Sequence, residues 1–456
     1  MRYVSTRGDA PILGFSDVLL AGLAVDGGLY VPERWPSMPD LPVGSYADLA
    51  AAVMTPFVGG EIEPADLLAM CREAYATFRH AATVPLVQIG PDQWIMELFH
   101  GPTLAFKDVA LQVVGRMFDH VLTARGERVM IVGATSGDTG SAAIDGVKGC
   151  LNVDIVILYP AGRVSDVQRR QMTTVEAPNV HTIAVEGTFD DCQDLVKAMF
   201  NDLAFRNELN LSAVNSINWA RVMAQIVYYV AAADALGQQP VTFSVPTGNF
   251  GNVLAGWIAL QMGTPIDSLI VGSNSNDILT RFFESRDMVA TGVTPTLSPS
   301  MDIQVSSNFE RLLFEINDRD GRRTAQQMAE FRSAGRLEVS DSQYSQWIAP
   351  VFRAGRCDDA TTVAVMADVY RETGMLIDPH TAVGVAASRS CSTPGVPTVT
   401  LATAHPAKFP DAVVKATKRH PILPDHLSDL LERPEHSTSL PADLAILQQF
   451  VRSVAR

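Results

Sequence analysis

From Trp94 onward, short β-rich runs alternate with amphipathic helical stretches, and few architectures accept that alternation. Parallel strands cannot be joined by a tight hairpin, and a helix lying on the sheet is the usual crossover. The pattern therefore predicts an α/β fold, with mainly parallel sheets flanked by helices. Strand candidates are Val129 to Ala134, Val153 to Leu158, His181 to Val185, Val241 to Val245, Leu269 to Val271 and Val399 to Ala402. The first ninety residues read mostly helical: Ser45 can cap Tyr46 to Val58, and Glu63 to Phe78 carry helical apolar spacing. Between Thr291 and Pro299 a run rich in Pro, Thr and Ser breaks the alternation, and helices dominate from Phe309 to Thr373, as an insertion would. The expected division is an N-terminal unit over residues 1–90 and two α/β domains over 91–235 and 236–456.

At 456 residues the chain can bury a sizeable core, and its 47% hydrophobic and 19% charged residues are the balance of a globular protein. A formal charge of −15, from 35 Lys and Arg against 50 Asp and Glu, repels nucleic acid and acidic membrane surfaces while leaving local anion pockets possible. The five cysteines form no C-x-x-C pair, so buried reduced thiols are expected and neither a disulfide framework nor a metal knuckle is suggested. The sixteen scattered methionines read as core. The N-terminal apolar stretch carries Asp17 and makes a poor signal peptide; no run approaches the ~18 apolar residues of a spanning helix. A cytoplasmic protein is expected.

In open parallel sheets, ligands bind where strands end and helices begin. Three loops of this kind stand out. Glu97 to Asp108 reads as a strand end, a Gly-Pro turn and the start of a helix, with Lys107 in the first turn. Apolar surroundings and a helix N-terminus both disfavour the ammonium form, which suits a Schiff-base lysine, although most lysines at helix starts are solvated. Gly133 to Ser141 packs Thr135, Ser136 and Thr139 among glycines, which can crowd backbone amides and hydroxyls around a carboxylate or phosphate; the plainer reading is a tight strand-to-helix turn. Pro246 to Asn252 follows a strand directly and could cradle a phosphate, with Gly248 and Gly251 allowing close approach. Asn215 to Arg221 opens a helix with groups that could converge on an oxyanion, or simply cap it. His405, at the end of Val399 to Ala402, is more economically a packed histidine than a catalyst.

Walker, G-x-G-x-x-G, H-E-x-x-H and G-x-S-x-G motifs are all missing, which removes the anchors for NTPase, dehydrogenase, zinc hydrolase and serine hydrolase readings.

Taken together and in order, Gly22 to Pro32, Phe99 to Asp108, Ala134 to Gly140, Asn215 to Arg221, Pro246 to Asn252 and Ala402 to Phe409 resemble the threonine synthase family. The resemblance implies the fold-type II class of pyridoxal-phosphate enzymes, similar to the tryptophan synthase β chain, with a helical N-terminal unit. It places the cofactor lysine and the substrate-carboxylate loop in residues 91–235 and the cofactor-phosphate loop in residues 236–456. It further implies pyridoxal 5'-phosphate carried on Lys107, its phosphate held by Gly248, Asn249, Phe250, Gly251 and Asn252, and Thr403 facing its ring nitrogen. Thr135, Ser136, Gly137, Asp138 and Thr139 would meet the substrate carboxylate and the cofactor's ring oxygen. Asn215, Ser216, Asn218 and Arg221, with Arg163 as a further candidate, would meet the substrate phosphate. The reaction implied is conversion of O-phosphohomoserine and water to threonine and phosphate, in a metal-free enzyme whose oligomeric state the sequence leaves open. Competing readings are a phospho-lyase releasing 2-ketobutyrate, a more distant dehydratase, and a catalytically silent binding protein.

Overall fold

The computed structural model describes residues 1 to 456. The alternation resolves into two parallel sheets. The larger has six strands in the order Phe352–Arg356, Ile266–Ser273, Val241–Pro246, Thr398–Ala402, Gln93–Glu97 and Leu86–Gly90. Only its last pair is antiparallel. The smaller has five parallel strands in the order Thr438–Pro441, Val180–Glu186, Val153–Pro160, Val129–Ala134 and Leu211–Ser212. Tyr3–Ser5 pairs with Tyr30–Pro32 in a separate antiparallel ribbon.

Every strand expected from the sequence is present, lengthened at several ends by one to three residues. Others were not read, among them Leu86–Gly90 and the ribbon strands Tyr3–Ser5 and Tyr30–Pro32 in the N-terminal segment expected to be mostly helical. Phe352–Arg356 interrupts the segment in which helices dominate, and Leu211–Ser212 and Thr438–Pro441 are too short and too polar to announce themselves. The N-terminal helices form as expected: Ser45 and Asp48 make a reciprocal capping box at Tyr46–Val58, and the second helix covers Pro64–Tyr75.

Sheet membership cuts across the division into residues 1–90, 91–235 and 236–456. Gln93–Glu97 completes the larger sheet beside Thr398–Ala402, and Thr438–Pro441 completes the smaller beside Val180–Glu186. Parallel partners need not be neighbours in sequence, so boundaries drawn along the chain miss such exchanges.

Both sheets are covered on two faces, and side-chain alternation assigns the faces. In the smaller sheet Ile131, Ile155 and Ile157 join the main core beneath the helix Lys107–Arg125, while Met130, Val132, Val156 and Leu158 pack with Cys192, Leu447 and Val451 on the other side. Of the five free cysteines, Cys71, Cys192 and Cys357 are buried; Cys150 and Cys391 are only partly so. No helix is long and apolar enough to cross a membrane, and no cluster of His, Cys, Asp and Glu is arranged to hold a metal ion.

The helices Lys107–Arg125 and Asp138–Val147 run side by side in the same direction, with Gln112 Nε2 donating to Asp145 Oδ1 at 2.7 Å. Their backbones touch at two glycines: a Cβ on Gly115 would lie 1.9 Å from the Gly146 carbonyl oxygen, and one on Gly146 would lie 2.5 Å from that of Leu111. This approach brings the two helix N-termini, and hence Lys107 and Asp138, to one place. Gly115→Val should force the helices apart and lower stability by about 1 to 3 kcal/mol, read as an earlier denaturant midpoint. An unchanged midpoint would show that the contact is not needed.

Candidate active site

Lys107 opens its helix and is 7% exposed, with Nζ 3.2 Å from Asp138 Oδ2 and 4.9 Å from the centre of the Phe106 ring. The turn before it is fixed from the other end of the chain: Phe106 N–H donates to the Thr403 carbonyl at 2.9 Å, and His405 N–H to that of Leu104 at 3.0 Å. The next residue, Asp108, turns away to accept from Thr103 N–H at 2.8 Å and its hydroxyl at 2.5 Å, and burial pushes its carboxyl up to about 7. Asp108 shapes the turn, and Asp138 is the anion that faces Lys107.

Asp138, 4% exposed, begins its own helix and is shared between two ammonium groups. Besides Lys107, Lys408 Nζ lies 2.8 Å from Oδ1, and Gln168 Nε2 donates to the same oxygen at 2.8 Å. Burial works to raise the carboxyl, but the charges of Lys107 and Lys408 overcome it and hold Asp138 well below the usual carboxylate range. For Lys107 the balance runs the other way. Burial depresses its pKa, Lys408 and Arg221 add to the depression, and Asp138 only partly opposes them.

Within Gly133 to Ser141, the Thr135 hydroxyl accepts from Gly137 N–H at 3.0 Å and Gly140 N–H at 2.9 Å, so it folds its own loop. Gly137 sits at φ 144°, where a Cβ would strike the Gln168 amide at 2.5 Å. The hydroxyls of Ser136 and Thr139 make no hydrogen bond within the chain.

The loop Pro246 to Asn252 is held by its carbonyls. Ser306 Oγ donates to that of Gly248 at 2.8 Å, and Asn308 donates to that of Asn249 through N–H at 3.1 Å and Nδ2 at 3.0 Å. The backbone N–H groups of Gly248 through Val253 have no acceptor within the chain. Phe250 takes the left-handed conformation at φ 62°, kept there by its ring packed among Phe283, Phe309 and Phe352. Asn252 Oδ1 accepts from Tyr228 at 2.5 Å and Tyr229 at 2.9 Å, which leaves its Nδ2 buried and unpartnered. Free amides at a helix N-terminus beside an orphaned buried donor fit a phosphate group.

In the Asn215 to Arg221 segment the roles divide. Asn218 caps the helix Trp219–Ala235 through Ala220 N–H at 3.0 Å and ties it to the Leu19 carbonyl at 2.9 Å. The side chain of the exposed Asn215 closes a local turn by accepting from Ile217 N–H at 3.3 Å. Ser216 lends its carbonyl to Asn308 and keeps its hydroxyl free. Arg221 is 2% exposed with no carboxylate partner; Nη1 donates to the Val214 carbonyl at 3.0 Å, Nε is buried without an acceptor, and burial pulls its pKa down to about 10. A buried guanidinium without a counter-ion invites an anionic ligand. Arg163 is exposed on the loop after Val153–Pro160 and does not join the buried groups.

The Thr403 hydroxyl is also free of hydrogen bonds within the chain. His405 caps the turn that follows by accepting from Ala407 N–H at 3.1 Å, and burial lowers it to about 4, so it is a neutral packed histidine. Several residues in this site were not read from the sequence. Lys408 and Gln168 are two; Ser300 is a third, its Oγ 3.5 Å from Asp138 Oδ2 and its N–H donating to His380 Nε2 at 3.4 Å. His380 Nδ1 lies 2.7 Å from Asp378 Oδ2, which fixes the tautomer that receives Ser300. Lys408 stands in the Ala402 to Phe409 stretch, but nothing local names its partner. A wide groove of about 1110 Å³ includes Thr103 and Gln171 in its lining but none of Lys107, Asp138, Arg221 or the Pro246 to Asn252 loop. The chemistry lies with the buried charges.

Known proteins are similar to this one along the whole chain. Residues 2–75 match the family described as threonine synthase N terminus, residues 83–337 the pyridoxal-phosphate dependent enzymes, and residues 381–451 the threonine synthase C-terminal family. Threonine synthase of Pseudomonas aeruginosa is 55% identical, covering 99% of this chain and 98% of its own, and that of Corynebacterium glutamicum is 40% identical over the same shares. The crystal structure of PLP-bound threonine synthase from Brucella melitensis superposes with a TM-score of 0.97 at 53% identity, covering 100% of both chains. Threonine synthase from yeast gives 0.93 at 38% identity, covering 99% of this chain and 98% of that one.

Because Asp138 is the influence that raises Lys107 most, Asp138→Asn should let the amine lose its proton at lower pH. The midpoint for reductive modification of Lys107 by a small aldehyde, followed peptide by peptide in ligand-free protein, should fall by about 1 to 3 pH units. A midpoint that stays put or rises would show that the ion pair does not govern the lysine.

Proposed function

The chain belongs to the threonine synthase family of pyridoxal-phosphate dependent enzymes, and from that premise we propose that it converts O-phosphohomoserine and water to L-threonine and phosphate, with the cofactor carried on Lys107. It is a pyridoxal-phosphate-dependent lyase. The observation that carries the residue assignment is a buried lysine at a helix start whose pKa is depressed and whose one carboxylate neighbour is itself held by a second lysine.

When bound, pyridoxal phosphate supplies the electron sink that makes proton loss at the substrate's Cα possible. The amides of Gly248, Asn249, Phe250, Gly251 and Asn252 hold its phosphate, joined by Asn252 Nδ2. The free hydroxyl of Thr403, next to the turn that positions Lys107, serves its ring nitrogen, and Asp138 serves its ring oxygen. As a neutral amine, Lys107 moves protons at Cα, Cβ and Cγ of the substrate, a task that needs the depressed pKa which burial provides.

Ser136, Gly137 and Thr139 receive the substrate carboxylate at the start of the helix Asp138–Val147, in a loop that Thr135 shapes. Arg221 is the main ligand of the substrate phosphate, because it is the buried cation without an anion, and Ser216 adds its hydroxyl. Asn215 and Asn218 act there by fixing the backbone. Arg163, being exposed, is left to meet the substrate on its way in. The closed surroundings of Lys107 limit water near the reacting carbons, which favours the single addition at Cβ over release of a keto acid. The proposed setting is the cytoplasm.

Borohydride reduction of the cofactor-loaded protein should label the peptide containing Lys107, and Lys107→Ala should lower turnover by about 10²- to 10⁴-fold or more. Labelling of another lysine would remove the assignment. With O-phosphohomoserine as substrate, threonine and phosphate should appear in nearly equal amounts. If 2-ketobutyrate and ammonia account for most of the phosphate released, the lysine assignment stands and the proposed reaction does not.

A further inference from the structure

Lys408 is fully buried, yet its Nζ reaches two acceptors, Asp138 Oδ1 at 2.8 Å and the Thr103 carbonyl at 2.7 Å. Lys107 addresses the other carboxylate oxygen of Asp138 at 3.2 Å. One of these lysines cannot be a permanent counter-ion. Whenever Lys107 works as a neutral base, it no longer brings a positive charge to Asp138. A carboxylate left alone at this depth would take up a proton, since burial strongly disfavours an uncompensated charge.

We propose that Lys408 is the resident counter-ion of the site, a positioning residue that keeps Asp138 an ionised acceptor while Lys107 changes its charge and bonding. This rests on the reading of Lys107 as the reactive lysine, and it assigns the second lysine a distinct task. Its surroundings suit a cation that never has to react. Apart from Asp138 and Lys107, the ionisable groups that face Lys408 are Asp108, whose oxygens are committed to Thr103, and His405, which burial keeps neutral. Arg221 is the other cation near Lys107 and makes no ion pair with Asp138. Gln168 and Ser300 donate hydrogen bonds to Asp138 but bring no charge. Lys408 is therefore the one group that neutralises the carboxylate independently of Lys107.

The test reads the protonation of Asp138 directly. In the Lys107→Ala variant, which removes the reactive amine, infrared difference spectra against Lys107→Ala/Asp138→Asn should show a carboxylate at neutral pH. Adding Lys408→Met should move the titration midpoint of that carboxyl upward by about 1 to 3 pH units or more, and Lys408→Arg in its place should restore the lower value. In the cofactor-loaded enzyme with Lys107 intact, the loss of turnover caused by Lys408→Met should largely vanish when Asp138 is already Asn. An unshifted midpoint, or a Lys408→Met defect that persists in full beside Asp138→Asn, would reduce Lys408 to a tie on the Thr103 carbonyl and overturn the proposal. Should the Lys408→Met proteins fail to fold, Lys107→Ala alone still decides: a protonated carboxyl there at neutral pH refutes a counter-ion role for Lys408.

Discussion

One buried carboxylate between two buried ammonium groups is the constraint around which this molecule is arranged. Three charges withdrawn from water cost far more than a mutual attraction returns unless their geometry is fixed and their remaining hydrogen-bonding capacity is met. Here both requirements are satisfied by distant parts of the chain. Asp138 receives Gln168 as well as the two lysines, and Lys408 finds the Thr103 carbonyl. The result is a lysine kept short of its usual basicity next to a carboxylate that stays charged.

The fold supplies that fixity through direction. Parallel strands of one sheet all end on one side, so the helix starts that follow them point their unpaired amides the same way. The starts at Lys107 and Asp138 follow strands of different sheets, Gln93–Glu97 and Val129–Ala134, and meet through the contact of their helices. The contact at Gly115 and Gly146 sets how near two of those starts can lie, and the pairing of Phe106 with Thr403 sets the rotation of the first of them. On the larger sheet the same logic produces the amide row from Gly248 to Val253, with Phe250 held in its unfavourable conformation by three phenyl rings.

Much of this was legible in the sequence, because strands and loops of this class carry local signatures. Val129 to Ala134 is an apolar run and Val241 to Val245 alternates apolar with hydroxyl residues, each leading into a glycine loop, and the lysine after its Gly-Pro turn is recognisable by context. What escaped was whatever depends on a partner far along the chain. Thr438–Pro441 is a strand only because Val180–Glu186 lies open beside it, and Lys408 is a charged core residue only because Asp138 is there to meet it. Thr135 and Asn218 were legible as polar residues at loop and helix starts, but whether such a group faces a ligand or its own backbone is decided by a few ångströms of loop geometry. Motif spacing does not encode that.

The exchange of strands between the two sheets bears on how the molecule is born. During synthesis the smaller sheet has four of its strands by Ser212, but the fifth, together with the helix Leu444–Val454 that adds Leu447 and Val451 to the apolar cluster on that side, emerges only after the entire larger sheet. Until then the part of that cluster not covered by the helix Phe189–Asn201, and an open sheet edge, stand exposed on the ribosome, the kind of surface that chaperones recognise and that aggregation exploits. The larger sheet waits likewise, since Gln93–Glu97 gains its neighbour Thr398–Ala402 late. The larger sheet is complete only with Ala402 and the smaller only with Pro441, so the nascent chain must tolerate a long unfinished interval before the two close one after the other.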